Sequence, residues 1–141
     1  MKSLGYERPI DPSRSELMRR VRQQGTAAEN EVADVLRGLS LRFRRNVRRL
    51  PGSPDFANHR RQWAVFVHGC FWHRHRGCVR TTTPTRNRDF WLAKFDANVK
   101  RDQSKQRLLR AMGFVVVTVW ECETRDRSLM RRKLRRLTTL G

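Results

Sequence analysis

Trp63-Ala-Val-Phe-Val67 decides the fold of this chain, because the run is short, apolar, aromatic and β-branched. A run of this kind predicts a central strand that is buried on both faces of a sheet. Further along the chain, Phe114-Val-Val-Val-Thr-Val-Trp120 predicts the last strand. Between the two runs, apolar residues at helical spacing from Phe90 to Met112 predict a long helix, which Gly113 ends as a helix C-cap would.

The chain before the central strand predicts one helix and two further strands. Thr26-Ala-Ala-Glu29 matches a capping box, and the apolar spacing that follows predicts a helix from about Ala27 to Leu39. Apolar residues alternate with arginines from Leu41 to Val47, which predicts a half-buried strand. The turn at Pro51-Gly52 then delivers Asp55 to the start of a second strand.

The two ends of the chain differ in character. Residues 1–17 contain prolines and a glycine without an apolar period, which is typical of a flexible arm, and residues 18–141 form the domain. From Ser128 to Leu137, apolar residues lie on one helical stripe among basic residues. The predicted fold class is α/β, or α+β, with a mixed central sheet flanked by helices in a single domain.

The composition is strongly basic. Lys and Arg number 32 against 13 Asp and Glu, which gives a formal net charge of +19 on 141 residues. Such a charge predicts a polyanionic partner and salt-sensitive binding, although alone it separates DNA, RNA and anionic membrane poorly. The sequence has neither a membrane span of about 18 apolar residues nor the apolar core of a signal peptide, so we expect a cytoplasmic protein.

Asp55 and the histidines after the central strand predict a hydrolytic site. A carboxylate at a strand edge can hold Mg²⁺, and His73 or His68 can deprotonate water. The pattern resembles PD-(D/E)xK nucleases, whose next strand carries an acid and a lysine, but here Val67-His68-Gly69 occupies that place. Taken alone, a Pro-Asp dipeptide after a glycine, such as Pro54-Asp55, is usually only a turn.

Cysteines and a histidine form a second constellation. Cys70, His75 and Cys78 share one loop, and Cys122 follows the last strand, which makes a Cys₃His set suited to tetrahedral structural zinc. The metal would link the loop to the sheet and would add stability to a protein with a small core. The alternative is three free thiols in a reducing compartment.

Two motifs carry a more specific resemblance. Leu50-Pro-Gly-Ser-Pro-Asp55 and His68-Gly-Cys-Phe-Trp-His73 resemble the very-short-patch repair endonuclease (Vsr) family. The likeness runs from Met18 to Cys122 and includes, in order, Thr26, Glu29, Phe90-Trp91-Leu92, Asn98-Val99, Arg101-Asp102, Leu109, Gly113 and Trp120-Glu121-Cys122. This resemblance implies a restriction-endonuclease-like fold of the PD-(D/E)xK type.

The resemblance also implies an activity. Members of the family bind T·G mismatches left by deamination of 5-methylcytosine and nick the strand 5′ to the mismatched thymine. By analogy, this chain would be a Mg²⁺-dependent, zinc-containing nicking endonuclease of mismatched duplex DNA, monomeric and associated with the nucleoid. Mismatch-repair proteins of the MutL and MutS type and a repair polymerase would be its partners.

Catalytic roles follow from the same resemblance. Asp55 and the backbone carbonyl of Val67 would hold Mg²⁺, and His73 would be the general base. His68 would assist at the phosphate or leaving group, while Glu29 would orient water or His73. From the residues alone, Glu29 can instead be half of the capping box, His68 a structural histidine, and His73 a zinc ligand.

Aromatic residues near the proposed base suggest how a mismatch is sensed. By the resemblance, Phe71, Trp72 and Trp91 would wedge into the duplex beside the mismatch, and Met18 would enter from the other groove. A T·G wobble stacks and pairs less well than a matched pair, which lowers the cost of opening that step. The alternative is that these are core aromatics, and this interpretation is stronger for Trp91 than for Phe71-Trp72.

Two other functional hypotheses stay open at this stage. A zinc-containing module that binds mismatched or distorted DNA without catalysis would fit the single carboxylate, and it would fit Val67 where family members often have threonine. An RNA-binding protein of the ribosomal type would explain the charge but not the segment from Asp55 to His73.

Overall fold

The computed structural model describes residues 27–139, so the predicted arm and Met18 lie outside the described part. Helix α1 covers residues 27–38, and strands β1 and β2 cover Arg44–Arg45 and Phe56–Asn58. Strand β3 covers Trp63–His68, helix α2 Arg88–Ala111, strand β4 Val115–Trp120 and helix α3 Arg127–Arg135. Short 3₁₀ helices cover Glu121–Arg125 and Arg136–Thr139. None of the helices within 27–139 is long and apolar enough to cross a membrane.

The four strands form one mixed sheet in the order β1-β2-β3-β4. Strand β2 pairs antiparallel with β1 and with β3, and β4 pairs parallel with β3. A parallel pair needs a crossover connection, and α2 supplies it. The register places Val65 opposite Val117 and His68 opposite Trp120. The predicted mixed sheet with flanking helices is confirmed, while the restriction-endonuclease-like assignment stays a prediction.

Strand β3 is covered on both faces, as its sequence predicts. Trp63 and Val65 pack in a cluster with α1 and α3, whereas Ala64 and Phe66 pack in a second cluster with Leu109 of α2. The four strand residues are at most 5% exposed. Because a fully buried Val or Phe contributes roughly 1.5–3 kcal/mol, β3 holds helices to both sides of the sheet.

The carboxyl-terminal stripe is also confirmed. Met130, Leu134 and Leu137 are fully buried against residues of α1 such as Val32 and Leu36. The α-helix ends at Arg135 and Leu137 lies in the 3₁₀ turn that follows. Asp126 caps α3 by accepting a hydrogen bond from the backbone N–H of Leu129 at 3.1 Å.

The strand predicted from Leu41 to Val47 is much shorter in the structure. Only Arg44 and Arg45 pair with β2. Asn46 has a φ of 50°, a left-handed conformation that ends the strand, and its N–H bonds to the carbonyl oxygen of Asp55 at 2.9 Å. The alternating pattern still reports packing, because the Phe43 ring meets the Phe56 ring edge-on at 5.0 Å.

The turn before Asp55 lies directly against α2. Gly52 has a φ of +78°, and a Cβ atom there would stand 3.0 Å from Cβ of Lys105 and 3.1 Å from the ring of Phe66. Both the conformation and the close approach therefore require glycine. The contact fixes the distance between the Asp55 turn and the middle of α2.

Replacing this glycine tests that contact. Gly52→Ala should lower the free energy of unfolding by roughly 2–5 kcal/mol, because it adds a left-handed strain of about 1–2 kcal/mol to overpacking of about 1–3 kcal/mol. Gly77→Ala is the matched control, since Gly77 has a φ of +73° with nothing within 4 Å of an added Cβ. Urea unfolding measures both, and equal losses would contradict the crowding argument.

Candidate active site

An open pocket of about 900 Å³ lies where the Asp55 turn, the end of β3 and the middle of α2 meet. It brings together the residues predicted to be catalytic, which are separated in the chain, and adds one that sequence reasoning gave no role. The pocket is lined by Glu29, Asp55, Val67, His68, His73 and Asp102, among others.

Asp55 is held in place by the neighbouring strand. The backbone N–H of Val67 donates to Oδ2 of Asp55 at 2.7 Å. Burial raises the pKa of Asp55 to about 6; the Val67 N–H opposes this rise and the charge of Glu29 adds to it. Ionising a buried carboxyl group of this kind costs free energy, and a cation beside it lowers that cost.

Glu29 of α1 reaches the same place from another element. Its carboxyl group interacts with that of Asp55, and burial raises its pKa while Arg45, at 3.9 Å, opposes the rise. Two adjacent carboxyl groups can share either a proton or a divalent cation. Asp55 and Glu29 therefore fit a Mg²⁺ ion. The Val67 carbonyl as a further ligand stays a prediction.

His73 forms a dyad with a residue that sequence reasoning missed. Nδ1 of His73 lies 2.5 Å from Oδ2 of Asp102 on α2, across 29 positions of the chain. The contact leaves Nε2 of His73 as the nitrogen available to a water or substrate. Asp102 is part of the Arg101-Asp102 pair in the family resemblance, but only the packing of α2 on the loop reveals its partner.

His68 stacks directly on His73. The two ring centroids lie 3.9 Å apart with planes 5° from parallel, and Trp120 meets His68 edge-on at 5.3 Å. Burial, and to a lesser extent the neighbouring His73, lowers the pKa of His68 to about 3. His68 is therefore neutral at physiological pH and supports the ring of His73 from beneath.

The predicted zinc ligands also converge. One ligand atom each from Cys70, His75, Cys78 and Cys122 lies within 4.8 Å of the others. Nδ1 of His75 is 3.6 Å from Sγ of Cys70 and 3.4 Å from Sγ of Cys122. Ligands about 2.0–2.3 Å from a tetrahedral zinc are separated by about 3.6 Å, so the residues fit that ion.

One loop carries His73 of the dyad and three of the four predicted zinc ligands. The His75 ring stacks on Trp120 at 4.2 Å, and Oγ1 of Thr81 donates to the His75 carbonyl at 2.6 Å. His73, two residues earlier, lies in the separate group with His68 and Asp102 and not among the four converging ligands. Fixing the cluster therefore fixes the backbone that carries His73.

The aromatic residues predicted to insert into DNA pack together. Phe71 is 7% exposed and Trp91 is 2% exposed, in a cluster with Phe95, and Trp72 is half-buried beside them. The indole N–H groups of Trp72 and Trp91 have no hydrogen-bond partner within residues 27–139. Insertion into DNA stays a prediction, and it would require this cluster to open. Met18 lies outside the described residues.

Comparison with known proteins identifies the family of this chain. A family model described as DNA mismatch endonuclease Vsr matches residues 10–80, which is half of the chain. The chain belongs to the Vsr family. The Vsr-family resemblance predicted from the two motifs is therefore confirmed.

Relatives in the Vsr family extend the match over most of the chain. The DNA mismatch endonuclease Vsr of Escherichia coli (strain K12) is 40% identical over 115 residues, covering 82% of this chain and 73% of that protein. The type II nicking enzyme V.XorIIP of Xanthomonas oryzae pv. oryzae is 40% identical over 121 residues, with 86% and 88% covered. V.NmeAIP of Neisseria meningitidis, also a type II nicking enzyme, is 37% identical over 124 residues, with 88% of each covered.

The raised pKa of Asp55 implies that the stability of the protein depends on pH. The folded protein holds this proton more tightly than the unfolded chain, so the carboxyl destabilises the fold increasingly as pH rises from 3.8 to about 6, and fully above that. In Mg²⁺-free buffer, Asp55→Asn should therefore raise the free energy of unfolding at neutral pH. At about 1.4 kcal/mol per pKa unit, the gain is at most about 3 kcal/mol.

Urea unfolding between about pH 5 and about pH 8 would measure this gain, which should grow up to about pH 6.5 and then stay constant. Asp96→Asn is the matched control, because the side chain of Asp96 is 63% exposed and its one ion pair within residues 27–139 is with Lys100. A gain that is the same at all pH values would contradict the assignment to the Asp55 carboxyl.

The convergence of the three cysteines and His75 predicts bound zinc. Purified protein should contain about one zinc per chain, and His75→Asn should lose it together with several kcal/mol of stability. His59→Asn should retain the zinc, because His59 lies in the turn between β2 and β3 against Phe114. Elemental analysis and thermal unfolding give both results, and full zinc content in the His75 variant would rule out this ligand set.

Proposed function

We propose that this protein nicks one strand of duplex DNA beside a T·G mismatch, in a Mg²⁺-dependent step of very-short-patch repair. Membership of the Vsr family makes it an endonuclease. The observation that carries the proposal is the convergence of Asp55 and the His73–Asp102 dyad on one pocket. This geometry favours an enzyme over a zinc-containing module that only binds distorted DNA.

Asp55 and Glu29 would hold the metal, because they are the adjacent carboxyl groups of the pocket. Bound Mg²⁺ supplies charge neutralisation at the phosphate and a more acidic water. The Val67 N–H fixes the direction of the Asp55 carboxylate, so this ligand is oriented before the substrate arrives. Mg²⁺ binding does not require the acid that the nuclease pattern has on the next strand, since Mg²⁺ keeps several waters as ligands.

His73 would be the general base. Its Nε2 would accept a proton from the attacking water as the new oxygen–phosphorus bond forms, while the bond to the departing sugar oxygen breaks and that oxygen takes a proton from solvent. Asp102 keeps the Nδ1–H of His73 in place and stabilises the imidazolium that results. Neutral His68 would donate an N–H hydrogen bond at the phosphate, and its stacking keeps the His73 ring in one plane.

The substrate assignment rests on the family and on charge. The named relatives include a mismatch endonuclease and nicking enzymes, which supports mismatched duplex DNA as the substrate. A net charge of +19 favours association with any duplex, so discrimination must come from the mismatch step itself. Opening of the cluster around Trp72 at a weakly stacked T·G pair would provide it. MutL- and MutS-type proteins and a repair polymerase are proposed partners of a monomeric enzyme.

A nicking assay on matched duplexes tests the proposal. The protein should cut a T·G duplex in one strand when Mg²⁺ is present, and should cut the corresponding T·A duplex far more slowly. Asp55→Ala should abolish nicking while binding persists, because it removes the metal ligand. His73→Ala should lower the rate at least roughly 100-fold, as expected for loss of a general base.

His59→Ala is the control for the histidine variant, since His59 lies outside the pocket. Unchanged nicking by Asp55→Ala would refute the metal site. Tight binding to mismatched duplex without strand breaks in Mg²⁺ or Mn²⁺ would instead support the non-catalytic binding module.

A further inference from the structure

We infer that Lys105 binds the scissile phosphate and supplies the fixed positive charge that strand β3 lacks. The inference rests on the proposed function, and it assigns a catalytic residue to the same pocket. Lys105 lines that pocket together with Asp55 and His73. It lies on helix α2, whereas the PD-(D/E)xK pattern would place a lysine on β3.

Charge balance shows why a cation is needed here. Three acids line the pocket, namely Glu29, Asp55 and Asp102, and together with a phosphodiester they carry more negative charge than one Mg²⁺ ion would offset. The end of β3 carries no lysine or arginine, because it reads Val67-His68-Gly69. A further positive group near the phosphate would offset the remaining negative charge and stabilise the charge that grows in the transition state.

Helical geometry places Lys105 towards the substrate. Asp102 contacts His73, and residues three apart on a helix lie on the same face, so Lys105 leaves α2 on the side of the dyad. One residue further, Nε2 of Gln106 donates to Oγ1 of Thr118 on β4 at 3.0 Å. These contacts set the rotation of α2 about its axis.

The Asp55 turn fixes Lys105 from the other side. Its Cβ lies so close to Gly52 that an added Cβ there would be 3.0 Å away. The base of the Lys105 side chain is therefore wedged between α2 and the turn that presents Asp55. Only the outer part of the side chain remains to reach into the pocket.

Lys105 differs from the other cations of the pocket. Arg48, Arg49 and Arg101 also line it, but they are exposed, and Arg101 bonds to Asn98. Lys105 is half-buried, and no acidic side chain within residues 27–139 forms an ion pair with it. A half-buried ammonium without an acidic partner is suited to a phosphate oxygen.

Separating rate from affinity tests the inference. Single-turnover nicking of a T·G duplex with Mg²⁺ should be roughly 100-fold slower in Lys105→Met, as for loss of one transition-state donor. Arg107→Met is the matched control, because it removes the same charge from an exposed position of α2 outside the pocket. Binding of the duplex without Mg²⁺ should weaken by a similar, small factor in both variants.

Lys105→Arg should recover most of the rate, since it keeps the charge and a donor, and thermal unfolding should show that all three variants are folded. Equal single-turnover rates for the Lys105→Met and Arg107→Met variants would overturn the inference while leaving the proposed function intact. A loss confined to affinity would overturn it as well. Failure of the wild-type protein to nick any mismatched duplex would refute the proposed function, and the role of Lys105 with it.

Discussion

Burial of strand β3 on both faces is the constraint on which the rest of this structure depends. The strand holds α1 and α3 to one side of the sheet and α2 to the other, and it ends at His68. Its Val67 N–H orients Asp55, and the loop that leaves it carries His73 and three of the four predicted zinc ligands. A strand buried on both faces therefore supports a site whose own residues are polar and costly to bury.

The sequence predicts the elements well because their burial is periodic or continuous. Strand β3, the α2 pattern and the stripe of Met130 and Leu134 each follow from which faces are covered. The strand predicted from Leu41 to Val47 was too long, since alternation reports packing against Phe56 but not the left-handed turn at Asn46. Local pattern thus identifies the buried face more reliably than the hydrogen-bonded length.

The site is only partly predictable for a different reason. Asp55 and His73 belong to compact motifs, whereas Asp102 and Lys105 acquire meaning only from the rotation of α2 against the sheet. Glu29 has a plausible local role in a capping box, and its contact with Asp55 requires α1 to be docked. Groups that meet through tertiary packing leave no signal at short sequence separation.

The contacts of helix α2 fix its rotation and therefore its length. Its contacts at Asp102, Lys105 and Gln106 span little more than one turn, and inserting or deleting a single residue upstream within the helix would rotate all three by about 100°. The exposed loop at residues 85–87 carries no such constraint. Length variation among functional variants of this protein should therefore accumulate before the helix and be purged from its middle.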